Sequence, residues 1–378
     1  MVAGMVTPMS CDSPVTCPGY DNLDKQYIGA DLADDQLKAL LMMEKSYVIP
    51  FVPCRNPSNQ GKQLPYGDWR RKICQWSFRV VDHFRLDREV VSASLNIFDR
   101  YLATRPKALN KDTCPCPTCQ KSIDSRTFQL TAMTSLYLAM KMYSVNSDTY
   151  THRKLSLAHF VDLSRGQFTA DDVSKLELSI LKELQWKINP PTPLTTVPYL
   201  LRLMPSRSSL PHSCHGNYDL VLHVLHELAR YLSELSVCLD SVSTFYSSSQ
   251  IAYASILVSM ELMTYSSLPL DARKVFNDRA FRVSLATEGV LLTPMDEAIQ
   301  KLRGIIRNSF WPEMLMDDCD GGPEAGHPIF MAREFGLLDD GYIAAQRVSH
   351  QLSNNKRRFT DTDLEDSPKS VSRGPIYS

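Results

Sequence analysis

The chain has 378 residues, a net charge of −1, 43% hydrophobic and 22% charged residues. That length allows two ordinary domains with tails, and the composition is that of a soluble globular protein. The near-neutral balance excludes a whole-molecule field that would steer the chain to nucleic acid or an anionic membrane. The ten cysteines come without a basic and apolar leader, so they read as free thiols in a reducing compartment. No run reads as transmembrane, since 241–260 is uncharged but too rich in serine. The expectation is a soluble intracellular protein with no membrane partner.

Residues 1–33 hold Pro8, Pro14, Pro18 and Gly19 with little periodicity, and read as a disordered extension. From Asp34 to about Tyr47, Leu37, Leu40, Leu41 and Met43 lie at helical spacing. A proline-rich loop follows, and Asp68 is the expected N-cap of a helix from about Trp69 to Phe84. Trp69, Ile73, Trp76, Val80 and Phe84 form its apolar stripe. Arg70 falls inside that stripe, where an arginine either snorkels or meets a buried carboxylate. The next helix starts after Asp87 and carries Val90, Val91, Leu95, Ile97, Phe98, Tyr101 and Leu102. Asp99, on the edge of its arc, is the natural partner for Arg70.

The connector 103–126 contains Cys114, Cys116 and Cys119. Three thiols this close could bind zinc or a soft metal, but a structural zinc site wants four ligands. The nearest histidines, His83 and His152, lie in other segments, so the reading taken is a proline-rich insertion with free thiols and no metal.

Between Arg126 and Lys141 no side chain is charged, and all but Gln129 are apolar, small or hydroxyl-bearing. Such a stretch marks a helix buried on every side, and it is too short to cross a bilayer. Lys141 is the first charge at its exit and needs a partner. A short helix over 155–163 follows, and then Thr169 and Asp172 make a capping box. The helix they open carries Val173, Leu176, Ile180, Leu181 and Leu184. Glu177 points into the middle of that arc, and Lys141 is the cation available to it. Either the pair has a structural or interface role, or it is an edge salt bridge worth little.

The run from Asn189 to Pro193 breaks the chain and marks a domain boundary. Helices are expected over 194–203, 217–239 and 243–263. The segment Gln250–Met260 echoes Gln129–Ala139 in type, which suggests duplication. Further helices start at Asp271 and at Thr293, with Pro294 in the first helical position, and end near Phe310. The stretch 313–378 reads as a disordered tail. It holds a small basic cluster, Lys356–Arg358, and Ser367-Pro368, a candidate site for a proline-directed kinase.

Arg70, Asp99, Leu130, Lys141 and Glu177, in that order, resemble the five signature residues of the cyclin box. Trp76 to Phe84 and Val90 to Leu102 are similar to the box's first two helices. Trp186 to Pro193 resembles the segment that closes the box and leads into a second cyclin fold. The likeness covers about 34–310. Leu37, Leu41 and Glu44 are closest in flavour to D-type cyclins. The cysteine-bearing insertion is untypical of those and points towards a lineage-specific group such as the diatom cyclins.

The resemblance implies an all-α protein of two tandem five-helix cyclin folds, 34–189 and 190–312. It implies no catalysis and no cofactor. The partner would be a cyclin-dependent kinase, whose mobile helix and activation loop the chain would hold in the active arrangement. The role would be in cell-cycle progression, in nucleus and cytoplasm. Lys141 and Glu177 would lie at the kinase interface, Arg70 and Asp99 would form an internal bridge, and Leu130 would pack the central helix. Trp69, Ile73, Trp76 and Gln129 correspond to the patch that docks substrate motifs in many cyclins. However, Trp69 stands where methionine is usual, Lys72 where an apolar residue is usual, and Arg79 where an acid is common. Like charge there would repel basic docking motifs. Met142-Tyr143-Ser144 also replaces an aromatic-acid-acid run common in the family. No Arg-x-x-Leu destruction motif precedes the box, because the first arginine is Arg55.

The alternatives are a transcription-associated cyclin and a cyclin-fold general transcription factor that grips DNA. The latter predicts a basic face and a zinc ribbon before the first fold. Near-neutral charge and the lack of paired Cys-x-x-Cys motifs before Trp69 count against it, as against any direct nucleic-acid contact. An enzyme is not supported, since no Gly-rich phosphate loop, nucleophile elbow or His-Glu-x-x-His motif occurs.

Overall fold

The computed structural model describes residues 30–49, 66–104, 125–144, 156–210, 217–314, 328–339 and 341–344. Cys114, Cys116, Cys119, the 356–358 cluster and Ser367 lie outside them. The architecture is all-α: among the described residues no strand forms, and Met263 and Leu338 make an isolated antiparallel bridge. Among the same residues no helix is long and apolar enough to cross a membrane.

The first fold comprises α2 (Tyr66–His83), α3 (Glu89–Thr104), α4 (Ser125–Ser144), α5 (Leu157–Asp162) and α6 (Ala170–Glu183). Its centre is α4, where every residue from Thr131 to Met140 is buried. Thr131 Oγ1 donates back to the Thr127 carbonyl at 2.8 Å, whereas Thr134 Oγ1 and Ser135 Oγ are buried without a hydrogen-bond partner among the described residues. α3 and α6 pack on either side, and Phe98 and Phe128 meet edge to face at 5.0 Å.

The second fold comprises α7 (Pro193–Leu201), α8 (Tyr218–Ser236), the single turn α9 (Asp240–Ser243), α10 (Ser248–Leu262), α11 (Leu270–Leu285) and α12 (Glu297–Met314). Its centre is α10, buried from Ser249 to Met260 and packed on α7, α8 and α12. The two uncharged segments that echo each other in sequence thus play the same part in successive folds.

Helix starts follow local hydrogen bonding. In α6, Thr169 Oγ1 accepts from the Asp172 N–H at 3.1 Å and Asp172 Oδ2 accepts from the Thr169 N–H at 2.9 Å, the expected capping box. Thr192 with Thr195, and Ser247 with Gln250, open α7 and α10 in the same way. Two expected starts are corrected. Asp68 lies inside α2, which begins at Tyr66, so it is not the N-cap. Asp296, not Thr293, caps α12, its Oδ1 accepting from the Ile299 N–H at 3.1 Å. A carboxylate there also meets the positive end of the helix dipole, and Pro294 falls before the cap rather than in the first turn.

Two segments sit where their order in the chain does not suggest. α1 (Ala30–Glu44), followed by a 3₁₀ turn at Lys45–Tyr47, precedes the first fold but packs on the second. Leu37 and Leu41 enter the second core, and Asp34 pairs with Arg279 at 2.7 Å. Lys45 Nζ donates to the Thr287 carbonyl at 2.7 Å. The buried Glu44 carboxylate accepts from the Ser249 N–H at 2.8 Å and from Ser249 Oγ at 2.6 Å. The apolar face of α1 thus fits the groove beside α7 and α11 rather than the first fold, whereas Tyr47 turns to α3, its carbonyl accepting from Asn96 Nδ2 at 3.4 Å and its ring under Arg100 at 5.0 Å.

The expected tail from 313 is also shorter. α12 runs on to Met314, and α13 (Pro328–Glu334) with 335–344 returns to the second fold. Ile329, Ala332, Leu337, Leu338 and Ile343 are buried in its core. The Thr264 N–H donates to the Leu337 carbonyl and the Asp339 N–H to the Leu262 carbonyl, each at 2.9 Å. Glu261, bonded by Arg307 Nε at 2.7 Å and by Arg303, also accepts from the Tyr342 hydroxyl at 3.2 Å.

Burial raises the Glu44 carboxyl above its ordinary value, against the hydrogen bonds from Ser249, which lower it. A carboxyl whose folded pKa is raised binds its proton more tightly in the native state. Its contribution is therefore fullest below the unfolded pKa and is lost as pH rises through the folded one. Glu44→Gln should flatten the dependence of Tm on pH above about 4.5, the ordinary value from which the carboxyl is raised. Calorimetry of the two proteins across that window checks this, and parallel curves would contradict it.

Candidate functional site

α4 carries Lys141 out of the core at its last turn, and α6 carries Glu177 to the same place. Lys141 Nζ lies 2.6 Å from Glu177 Oε1. The lysine side chain is 47% exposed and the glutamate 16% exposed, so the pair reaches solvent without being free of the fold. One turn earlier on α4, the Tyr137 ring lies under the ammonium, 5.2 Å from centroid to Nζ. Leu178, next to Glu177, is 47% exposed, while Leu176 packs on the first core. The geometry is a part-exposed charged pair beside the Tyr137 ring, able to offer one carboxylate and one ammonium to a docking protein's backbone.

Arg70 and Asp99 also meet as expected, at 2.9 Å, and neither side chain is more than 1% exposed. The bridge does more than join α2 to α3. Arg70 Nη2 donates to the Val237 carbonyl at 3.3 Å and to Ser243 Oγ at 2.6 Å, so the same guanidinium holds the end of α8 and the turn of α9. Leu130 is partly buried and packs on the first core.

The residues of the docking patch come together on α2 and α4 but are not equally available. Trp69 tilts against Phe128 at 5.3 Å and, like Trp76, is half-buried. Ile73 is buried in the first core, so it supports the patch from below. Gln129 is exposed, with Nε2 3.4 Å from Ser125 Oγ. Lys72 and Arg79 are both exposed beside the tryptophans, which keeps this face basic.

Sequence reasoning missed the seam between the folds. Glu89, the first residue of α3, accepts from the Tyr143 hydroxyl and from Thr192 Oγ1, each at 2.9 Å, tying the end of α4 to the start of α7. Arg230 of α8 forks onto Asp87 at 2.8 and 2.9 Å, and Arg88 lies 3.5 Å from Glu234. Burial raises both Glu89 and Glu234 above the ordinary carboxylate range, and burial followed by the nearby Glu89 charge raises the Tyr143 phenol. The position of Glu89 one residue into an apolar helix was the available signal. Tyr143, which stands within the run that departs from the family pattern, is spent on this seam. Among the described residues no group of three or more His, Cys, Asp or Glu side chains could hold a metal ion.

Comparison with known proteins agrees with this architecture. Residues 42–189 match the family model for the cyclin N-terminal domain. G1/S-specific cyclin-E1 of Danio rerio is 28% identical over 162 residues, 43% of this chain and 33% of that protein. G2/mitotic-specific cyclin-B2 of Mesocricetus auratus is 28% identical over 200 residues, 52% of this chain and 40% of that protein. This chain thus matches well under half the length of either relative. A chain in the CryoEM structure of the yeast TFIIK (Kin28/Ccl1/Tfb3) complex aligns over 72% of this chain and 93% of that one, with 16% identity and a TM-score of 0.40, too loose a likeness to argue from. The matched family model, the curated relatives and the meeting of Arg70 with Asp99 and of Lys141 with Glu177 converge: residues 42–189 carry a cyclin N-terminal domain.

Proposed function

We propose that the chain is a non-catalytic regulatory subunit that binds a cyclin-dependent protein kinase, holds it in its active arrangement and acts in cell-cycle progression. The observation that carries this reading is the Lys141–Glu177 pair at the end of the central helix, half open to solvent beside Tyr137 and the exposed Leu178. A polar pair beside apolar side chains fits the arrangement of an interface hot spot. The names of its relatives, G1/S-specific and G2/mitotic-specific, support the cell-cycle setting, which would place the protein in nucleus and cytoplasm.

Glu177→Ala and Lys141→Ala are each expected to reduce co-purification of the kinase about tenfold or more, since hot-spot truncations cost ~2 kcal/mol or more. The fold should survive, because a part-exposed pair is worth no more than about 1 kcal/mol to stability. Affinity purification with mass spectrometry, alongside circular dichroism, reads both. Recovery of polymerase components in place of a kinase would favour the transcription-factor alternative.

A further inference from the structure

Two thiols meet across the seam. Cys74 lies on α2 one turn after Arg70 and is buried in the first core. Cys238 follows α8, is partly exposed, and has its sulfur 3.8 Å from the Glu234 carbonyl. The two side chains are in hydrogen-bonding contact with each other, and both are reduced. The residue before Cys238, Val237, gives its carbonyl to Arg70. The thiols therefore sit where the two folds are already held in register from both sides. A disulfide then needs the two sulfurs to close to about 2.05 Å with the Cβ–S–S–Cβ angle near 90°.

We propose that Cys74 and Cys238 form a reversible thiol–disulfide site that staples the first fold to the second when the surrounding pool of low-molecular-weight disulfide becomes oxidised. With glutathione disulfide as oxidant, the Cys238 thiolate attacks one glutathione sulfur, forming a mixed disulfide and releasing one glutathione thiolate. The Cys74 thiolate then attacks Cys238 Sγ and expels the second glutathione. Two protein thiols and one glutathione disulfide become one protein disulfide and two glutathione thiols, the two protons lost by Cys74 and Cys238 ending on the released glutathione thiolates. The neighbouring thiol and burial hold the Cys238 thiol above its ordinary range, so the reduced pair persists and exchange is slow at neutral pH. The staple closes a long loop and so constrains the unfolded chain strongly. It does not depend on the kinase reading.

The test uses the full chain, equilibrated in glutathione buffers from reducing to oxidising, alkylated and cut with trypsin without reduction. The expected product joins Ile73–Arg79 to Tyr231–Arg273, and its appearance should be accompanied by a rise in Tm of about 5 °C or more. Cys238→Ser should lose both. Because truncating the buried Cys74 endangers the fold, Cys74→Val, which keeps its bulk, is the second variant and should lose both as well. The proposal is overturned if other cysteines oxidise while Cys74 and Cys238 are recovered alkylated after unfolding. It is equally overturned if oxidation raises the Tm of Cys238→Ser as much as that of the unsubstituted chain.

Discussion

Asp99→Ala is expected to cost about 3–5 kcal/mol, the typical penalty for breaking a buried ion pair from one side. The reason is what remains. Arg70 would keep its bonds to the Val237 carbonyl and to Ser243 Oγ but lose its counter-charge in a site closed to water. Urea denaturation followed by helix content measures the loss, and a change below about 1 kcal/mol would show that water enters and screens the guanidinium. Replacing both partners by apolar residues of similar volume, Arg70→Met with Asp99→Leu, should recover much of the stability, since neither charge then stays buried. The double variant would still lack the link from α2 to α8 and α9. Its two folds should therefore unfold in more clearly separated steps than those of the parent.

A second large effect is expected at the far end of the described chain. Ile329→Ala removes a side chain with no exposed surface from the second core, and such truncations cost about 2–5 kcal/mol. The returning segment could in principle detach instead, which caps the loss at its own docking free energy. Hydrogen exchange distinguishes the two outcomes. The Thr264 and Asp339 amides, bonded across the isolated bridge, should exchange slowly in the parent and fast in the variant if the segment lifts off. If Ile329→Ala leaves both Tm and those amides unchanged, 328–344 contributes nothing to the second fold.

What was legible in the sequence was whatever local pattern and charge placement could express. An uncharged run framed by Arg126 and Lys141 announces a central helix, and a glutamate or arginine inside an apolar arc announces a partner. Both pairs, Arg70 with Asp99 and Lys141 with Glu177, follow from that logic. What stayed hidden depends on contacts between distant parts of the chain. The short apolar set Ile329, Leu337, Leu338 and Ile343 is diluted by the polar residues around it, so averaged composition reads as tail. α1 shows a proper amphipathic face, but nothing in its own residues says which fold will cover it. Leu37, Leu41 and Glu44, the basis for a D-type likeness, all serve to fix α1 on the second fold. The thiol contact between Cys74 and Cys238 is of the same kind, invisible until two helices from different folds are placed side by side.

The position of α1 has a consequence for how the protein is made. The helix leaves the ribosome before either bundle, yet Arg279, which its Asp34 requires, is 245 residues further along. At typical elongation rates that is a wait of roughly tens of seconds. During it, Leu37 and Leu41 can find cover on α7 once that helix is made, but the α11 side of their groove is still missing. Its docking cannot be complete before α11 is made, so a chain whose translation stalls before that point would leave part of this apolar face open to the cell's quality-control machinery.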